Sequence, residues 1–257
     1  MTDDDVRPAI DELPYPKDKF GRYLVHEDWE PPSGFRGKIL QRNMGVFISA
    51  NFSGKKEAPR VIYVRGAGSA IAQALNDLHQ ICPVPRGEQM PAGEKYLFCA
   101  GLIHQKRVEQ QTDAEIWDTW NVNCMSVIRA CDRLIESNPK ARICVVGSES
   151  AFKGSFDAAY AAAKSGLHRY VETKRLKHPG QQLVCVAPTC IIGTGMNRQR
   201  NADGIAALQA RQRQHPKLRW LEPIEVARMI HFLLCVDEGY TTGVVVRMSG
   251  GEHCGSR

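Results

Sequence analysis

A chain of 257 residues that is 43% hydrophobic and 24% charged has the composition of a folded globular protein, and its length suits one α/β unit with extensions. No window approaches the roughly eighteen uninterrupted apolar residues of a membrane span, and the opening Thr2, Asp3, Asp4 and Asp5 are the reverse of a basic, apolar signal sequence, so a cytoplasmic protein is expected. The net charge of +6 is that of a solvated surface rather than a nucleic-acid footprint.

Residues 1–59 are rich in Pro, Gly and charge, as in Glu12-Leu-Pro-Tyr-Pro and Glu30-Pro-Pro-Ser-Gly, and read as a partly irregular extension. Within it, 38–40 and 45–49 predict two short strands joined by a turn at Arg42-Asn43, a hairpin added to the main domain. Residues 60–257 alternate apolar strands with amphipathic helices, the pattern of a parallel sheet covered on both faces. Strand 61–64 leads through a glycine turn into a helix over 70–78. The segment 81–86 predicts an edge strand, because Pro83 and Pro85 cannot donate to a neighbour. Strand 96–99, a helix over 116–137 in which Trp117 is a packing residue, and strand 142–146 follow. A helix over 158–174, strand 183–186, a polar loop and helix up to Trp220, a helix over 223–234 and strand 244–247 complete the chain.

None of the nine cysteines forms a C-x-x-C pair, and Cys99, Cys144, Cys185 and Cys235 each sit inside an apolar run, so reduced buried thiols and no metal site are expected. Arg198, Arg200, Arg211, Arg213, Lys217 and Arg219 share a stretch whose single acid is Asp203. They form either a solvated helix face or a receptor for a carboxylate, a phosphate or a carrier thioester.

The run Arg65-Gly-Ala-Gly-Ser-Ala-Ile-Ala joins a strand to a helix, where backbone N–H groups can meet a pyrophosphate. Gly66, Gly68, Ser69, Ala70 and Ile71 are the candidate contacts. Ala70 and Ala72 stand where spaced glycines belong, so the turn reads equally as a plain strand-to-helix connection. Only 80–95 separates the first helix from the strand at Tyr96, too little for two further strands with crossovers. Arg86 then lies near an adenosine ribose, where it accepts a 2′-phosphate and tilts the choice from NAD to NADP, or is an exposed loop residue.

Tyr160 and Lys164 lie four residues apart near the start of a helix and share a face. An ammonium beside a phenol favours the phenolate, lowering a pKa of about 10 toward the working range of an acid/base for a carbonyl–alcohol pair. Ser148 follows strand 142–146 at the carboxyl edge of the sheet, where a hydroxyl can bond the substrate oxygen.

These residues resemble the short-chain dehydrogenase/reductase family across 60–251. Tyr160-Ala-Ala-Ala-Lys164 is similar to its Y-x-x-x-K, with Tyr moving the proton and Lys holding the nicotinamide ribose. Ser148 is similar to its upstream serine, with Ser150 as the alternative. Asn123 matches the asparagine that holds a relay water, with Asn121 as the substitute. Cys99-Ala100-Gly101 resembles N-A-G with Cys for Asn, and Ala187-Pro188-Thr189 resembles A-P-G, whose backbone meets the nicotinamide carboxamide. Ile191 adjoins that turn, and Thr194-Gly-Met resembles the T-x-M behind it. Glu222-Pro-Ile-Glu-Val-Ala and Thr242-Gly-Val-Val-Val-Arg-Met-Ser-Gly-Gly complete the series.

The resemblance implies a Rossmann-type, doubly wound parallel sheet, truncated on the side of its second and third strands, and a homodimer or homotetramer. It implies an NAD(P)-dependent oxidoreductase interconverting a carbonyl and an alcohol of a small-molecule substrate, which is anionic if the basic stretch receives it. The alternative is a Rossmann-fold binding or regulatory protein with weakened dinucleotide binding, for which Ala70, the missing strand and the absent asparagine argue. If residues 34–53 pack where the missing strands belong, they rebuild an adenosine site. A dehydratase or epimerase is the third reading, from Pro188-Thr-Cys-Ile-Ile-Gly-Thr-Gly, against a C-terminal region too short for a sugar-nucleotide domain.

Overall fold

The computed structural model describes residues 61–195 and 202–252, and the backbone of three strands before them. The chain divides into two compact units, Met1–Ala58 and Pro59–Arg257. In the first, β1 (Tyr23–Val25), β2 (Lys38–Arg42) and β3 (Gly45–Ser49) form an antiparallel sheet in the order β1-β3-β2. Arg42 pairs with Gly45 in the ladder, and the turn expected at Arg42-Asn43 extends outside the described residues. β1 carries only three strand-forming residues between Arg22 and His26, too few to show an alternation.

In the second unit β4 (Ile62–Arg65), β5 (Ile81–Pro83), β6 (Lys95–Phe98), β7 (Arg142–Val146), β8 (Gln182–Pro188) and β9 (Val244–Met248) build one parallel sheet, ordered β5-β4-β6-β7-β8-β9. This is the doubly wound sheet expected, with a single strand beyond β4. Pro83 in that edge strand lacks the N–H with which to pair another.

The helices are α1 (Ala70–Asn76), α2 (Asp113–Trp120), α3 (Ser126–Ser137), α4 (Ser150–Lys153), α5 (Ala158–Thr173), α6 (Ala202–Gln214) and α7 (Pro223–His231). Because successive strand residues face opposite ways, Tyr96, Phe98, Ile143, Val145 and Leu183 pack with Ile135 of α3 and Leu167 of α5. Ile62, Val64, Leu97, Cys144 and Val184 pack on the other face with Leu75 of α1 and Ile230 of α7. Each fully buried aliphatic side chain contributes about 1.5–3 kcal/mol to this two-sided core. Among the described residues no helix is long and apolar enough to cross a membrane.

Three expectations are corrected. The helix over 116–137 is two helices joined by a π-turn at Asn121–Met125, and it starts earlier, at a capping box in which Thr112 N donates to Glu115 Oε2 at 2.9 Å. Trp117 is 71% exposed on α2 rather than packed. Cys99, Cys144 and Cys185 are buried, but Cys235 is only partly so, since it ends a helix at the rim of the core.

Candidate active site

The parallel strands all end at one edge, where the turns leaving them enclose a cleft of about 520 Å³, a size suited to a small-molecule or cofactor site. Gly66, Gly68, Ser69, Ala70 and Ile71 line it from the turn after β4, Arg86 from beyond β5, and Cys99, Ala100 and Gly101 from the end of β6. Pro188, Thr189, Ile191 and Thr194 line it from the end of β8. Gly66 is obligatory: its φ is +92°, and a Cβ there would stand 2.4 Å from Ala100 N. Ser69 caps α1 by accepting from Ala72 N at 3.2 Å and donates to Cys99 Sγ, also at 3.2 Å. Cys99 in turn donates to the Gly66 carbonyl at 3.1 Å, so the residue replacing the usual asparagine ties two turns together. Burial pushes its thiol up to about 11, which makes it a structural thiol rather than a nucleophile.

Ser148, Tyr160 and Lys164 converge on the same cleft. The backbone N–H of Ser148, just past β7, donates to His168 Nε2 at 3.2 Å, and its hydroxyl accepts from Ser150 N at 3.1 Å. Ser150 also lines the cleft. Asp157 caps α5, its Oδ1 accepting from Tyr160 N at 3.0 Å and its Oδ2 from His104 N at 3.1 Å. Lys164 Nζ donates to the Val146 carbonyl at 2.7 Å and lies 5.9 Å from the centre of the Tyr160 ring.

Burial pulls Lys164 down to about 8. It raises Tyr160 above its ordinary value, against an opposing hydrogen bond with Ser148 and with a further push from Asp157. The expected lowering of the phenol pKa gives way to the opposite direction, because desolvation outweighs the hydrogen bond with Ser148. His168, buried behind Ser148, is pulled down to about 4 by burial, then by Lys164 and Arg247.

Asn123 does not line the cleft. It is fully buried in the π-turn, where Oδ1 accepts from Leu102 N at 3.1 Å and Nδ2 donates to the carbonyls of Leu102 at 2.7 Å and Thr119 at 2.8 Å. It thus ties the loop leaving Cys99–Ala100–Gly101 to the π-turn. Asn121 is exposed at the head of the same turn.

Sequence reasoning missed the charged rim. Glu149 is 2% exposed and accepts two bonds from Arg247, Nε at 2.8 Å and Nη2 at 2.7 Å, while that guanidinium lies 4.0 Å above the Phe152 ring. Glu252 accepts from Lys153 Nζ at 2.6 Å, Thr189 Oγ1 at 2.9 Å and Arg211 Nη2 at 3.1 Å. Burial raises the Glu252 carboxyl, but these donors outweigh it and hold the group below the usual carboxylate range. No local spacing signals Lys153 or Glu252; Arg211 stood only as one of the basic stretch. Away from the cleft, His79, His231 and Cys235 bring three potential metal-ligand atoms within 4.8 Å of one another, a grouping that pair spacing could not reveal.

A family model described as enoyl-(acyl carrier protein) reductase matches residues 96–253. The chain is 27% identical over 178 residues to the vibriobactin-specific 2,3-dihydro-2,3-dihydroxybenzoate dehydrogenase of Vibrio cholerae, covering 64% of this chain and 67% of that one. It is 29% identical over 172 residues to acetoacetyl-CoA reductase of Allochromatium vinosum, with 64% and 68% covered. Among solved structures, an oxidoreductase of the short-chain dehydrogenase/reductase family from Burkholderia thailandensis superposes with a TM-score of 0.67 at 19% identity, over 78% of this chain and 95% of that one. The aldohexose dehydrogenase of Thermoplasma acidophilum gives 0.65 at 18% identity, with 77% and 95% covered.

Proposed function

Because this chain belongs to the short-chain dehydrogenase/reductase family and is an oxidoreductase, we propose that it reduces a carbonyl to an alcohol through Ser148, Tyr160 and Lys164, positioned by Asn123. The observation that carries this reading is the convergence of those three side chains, from a strand end and a helix, on the cleft that the turn after β4 also lines. Tyr160 lines the cleft beside Ser148, where a phenol can exchange a proton with the oxygen of a carbonyl–alcohol pair. The Ser148 hydroxyl adds a second donor to the oxygen on which charge develops. The family uses NAD or NADP, and Arg86 in the cleft wall supports NADP.

The residues present fit such a group. Lys164 is buried yet gives only one of its three donors to Val146, leaving the others for ribose hydroxyls. Gly66 and Gly68 keep the turn free of side chains, although the Ala70 methyl stands on the wall. When bound, the nicotinamide supplies the hydride; the chain's own residues bind it, orient the carbonyl and deliver the proton. The exposed Trp117 on α2 supports a homodimer or homotetramer, and the cytoplasm is the compartment we assign.

Calorimetric titration with NADPH, NADH and their oxidised forms tests the reading. Micromolar binding of one pair is expected, with Tyr160→Phe retaining binding and losing roughly 10²–10⁴-fold in turnover. Absence of binding up to millimolar concentration would sink it and leave the binding-protein alternative that Ala70 favours.

A further inference from the structure

We propose that Lys153 and Arg211, held beside Thr189 by a shared carboxylate, form an anion cradle that selects carbonyl substrates bearing a carboxylate. This substrate class rests on the oxidoreductase reading, whereas the cradle itself rests on geometry. The three side chains come from α4, the end of β8 and α6, and all three line the cleft that holds Ser148 and Tyr160. That they suit a carboxylate is shown by the one they already hold: Glu252, at 2.6 Å from Lys153, 2.9 Å from Thr189 and 3.1 Å from Arg211.

Charge and donor count then decide what the cradle can still accept. Lys153 and Arg211 bring two positive charges against the single negative charge of Glu252, which leaves one charge for a monoanion. Lys153 has three donors and Arg211 five, and Glu252 takes one from each. The other carboxylate of the cleft, Glu149, is held in a two-bond fork by Arg247 and does not cancel them. Arg211 is braced with its guanidinium 5.8 Å from the Trp220 ring, so its fork is oriented before a ligand arrives. Of the basic stretch, Arg219 is committed to Glu225 by two bonds at 2.7 and 2.8 Å and is absent from the cleft wall, so Arg211 is the described member that reaches the site.

The test compares acetoacetate with methyl acetoacetate, one ketone with and without the charge, by calorimetry on the full chain. Because Lys153 and Arg211 are partly exposed, the acid is expected to bind roughly fivefold or more tightly than the ester, with the preference fading in high salt. Lys153→Met and, as a second variant, Arg211→Met reduce the preference, each by removing spare donors and one positive charge. Glu252→Gln strengthens acid binding, because it removes the competing carboxylate. Equal binding of acid and ester, or weaker acid binding in Glu252→Gln, overturns the cradle and marks the trio as a structural clasp. Selective acid binding with no carbonyl reduction by either nicotinamide cofactor upholds the cradle and removes the oxidoreductase reading. Reduction of both compounds at equal kcat/KM does the opposite.

Discussion

Replacing Gly66 by Ala forces a methyl into the place where β4 and β6 approach most closely. Its φ of +92° is left-handed, and the new Cβ would lie 2.4 Å from Ala100 N and 2.8 Å from both Ala100 Cα and Cys99 C, all backbone atoms that cannot rotate away. The conformational strain costs about 1–3 kcal/mol and the overpacking a similar amount, roughly 2–6 kcal/mol together. For a unit of this size that lowers the melting temperature by roughly 5–20 °C. Gly68 is the internal control: it has no left-handed φ, and a Cβ there meets nothing within 4 Å, so Gly68→Ala changes stability by less than about 1 kcal/mol. Thermal melts and urea titrations of the two variants, followed by circular dichroism, decide the matter. If both melt within about 2 °C of wild type, the close approach of the turn to Ala100 is not what requires glycine.

Lys164→Met is expected to stabilise the protein at neutral pH. The folded pKa of about 8 lies below the ordinary 10.5, so the stability this residue contributes is full above 10.5 and lost as pH falls through 8. That difference is worth about 3 kcal/mol, less about 1 for the bond to Val146, and urea titrations at pH 7 and 10 should show the advantage of the variant shrinking with rising pH. His168 behaves in the same sense at acid pH. Depressed from 6.5 to about 4, its contribution is present above 6.5 and lost as pH falls through 4, up to about 3 kcal/mol. His168→Gln, which keeps an acceptor for Ser148 N, should flatten the stability profile in that window; an unchanged acid limb would contradict the assignment. Glu149→Gln breaks the fork to Arg247 and costs about 2 kcal/mol by chemical denaturation, a loss that the double replacement with Arg247→Met recovers in large part.

The strand pattern, an edge strand within the proline-bearing segment 81–86, of which only Ile81–Pro83 pairs, and the turn at Gly66 were legible because each is a local matter of alternation, missing donors or backbone freedom. So was the pairing of Tyr160 with Lys164 on one face of α5, which helical geometry enforces. The break of the 116–137 segment was not legible. The π-turn holds Asn123, whose side chain bonds Leu102 twenty-one residues away as well as the local Thr119 carbonyl, and helix propensity is silent on such a partner. The direction in which Tyr160 and Lys164 shift was likewise set by burial, which depends on what the rest of the fold packs around them.

What the sequence by itself determined is the parallel sheet, the family resemblance and the set of residues at its carboxyl edge, since these follow from period and order along the chain. What only the tertiary structure decided is the electrostatics of the cleft. Glu149 with Arg247, and Glu252 with Lys153, Thr189 and Arg211, join residues as far as 98 positions apart. Coulomb and hydrogen-bond energies depend on distance and dielectric in space, and no spacing in the chain encodes either.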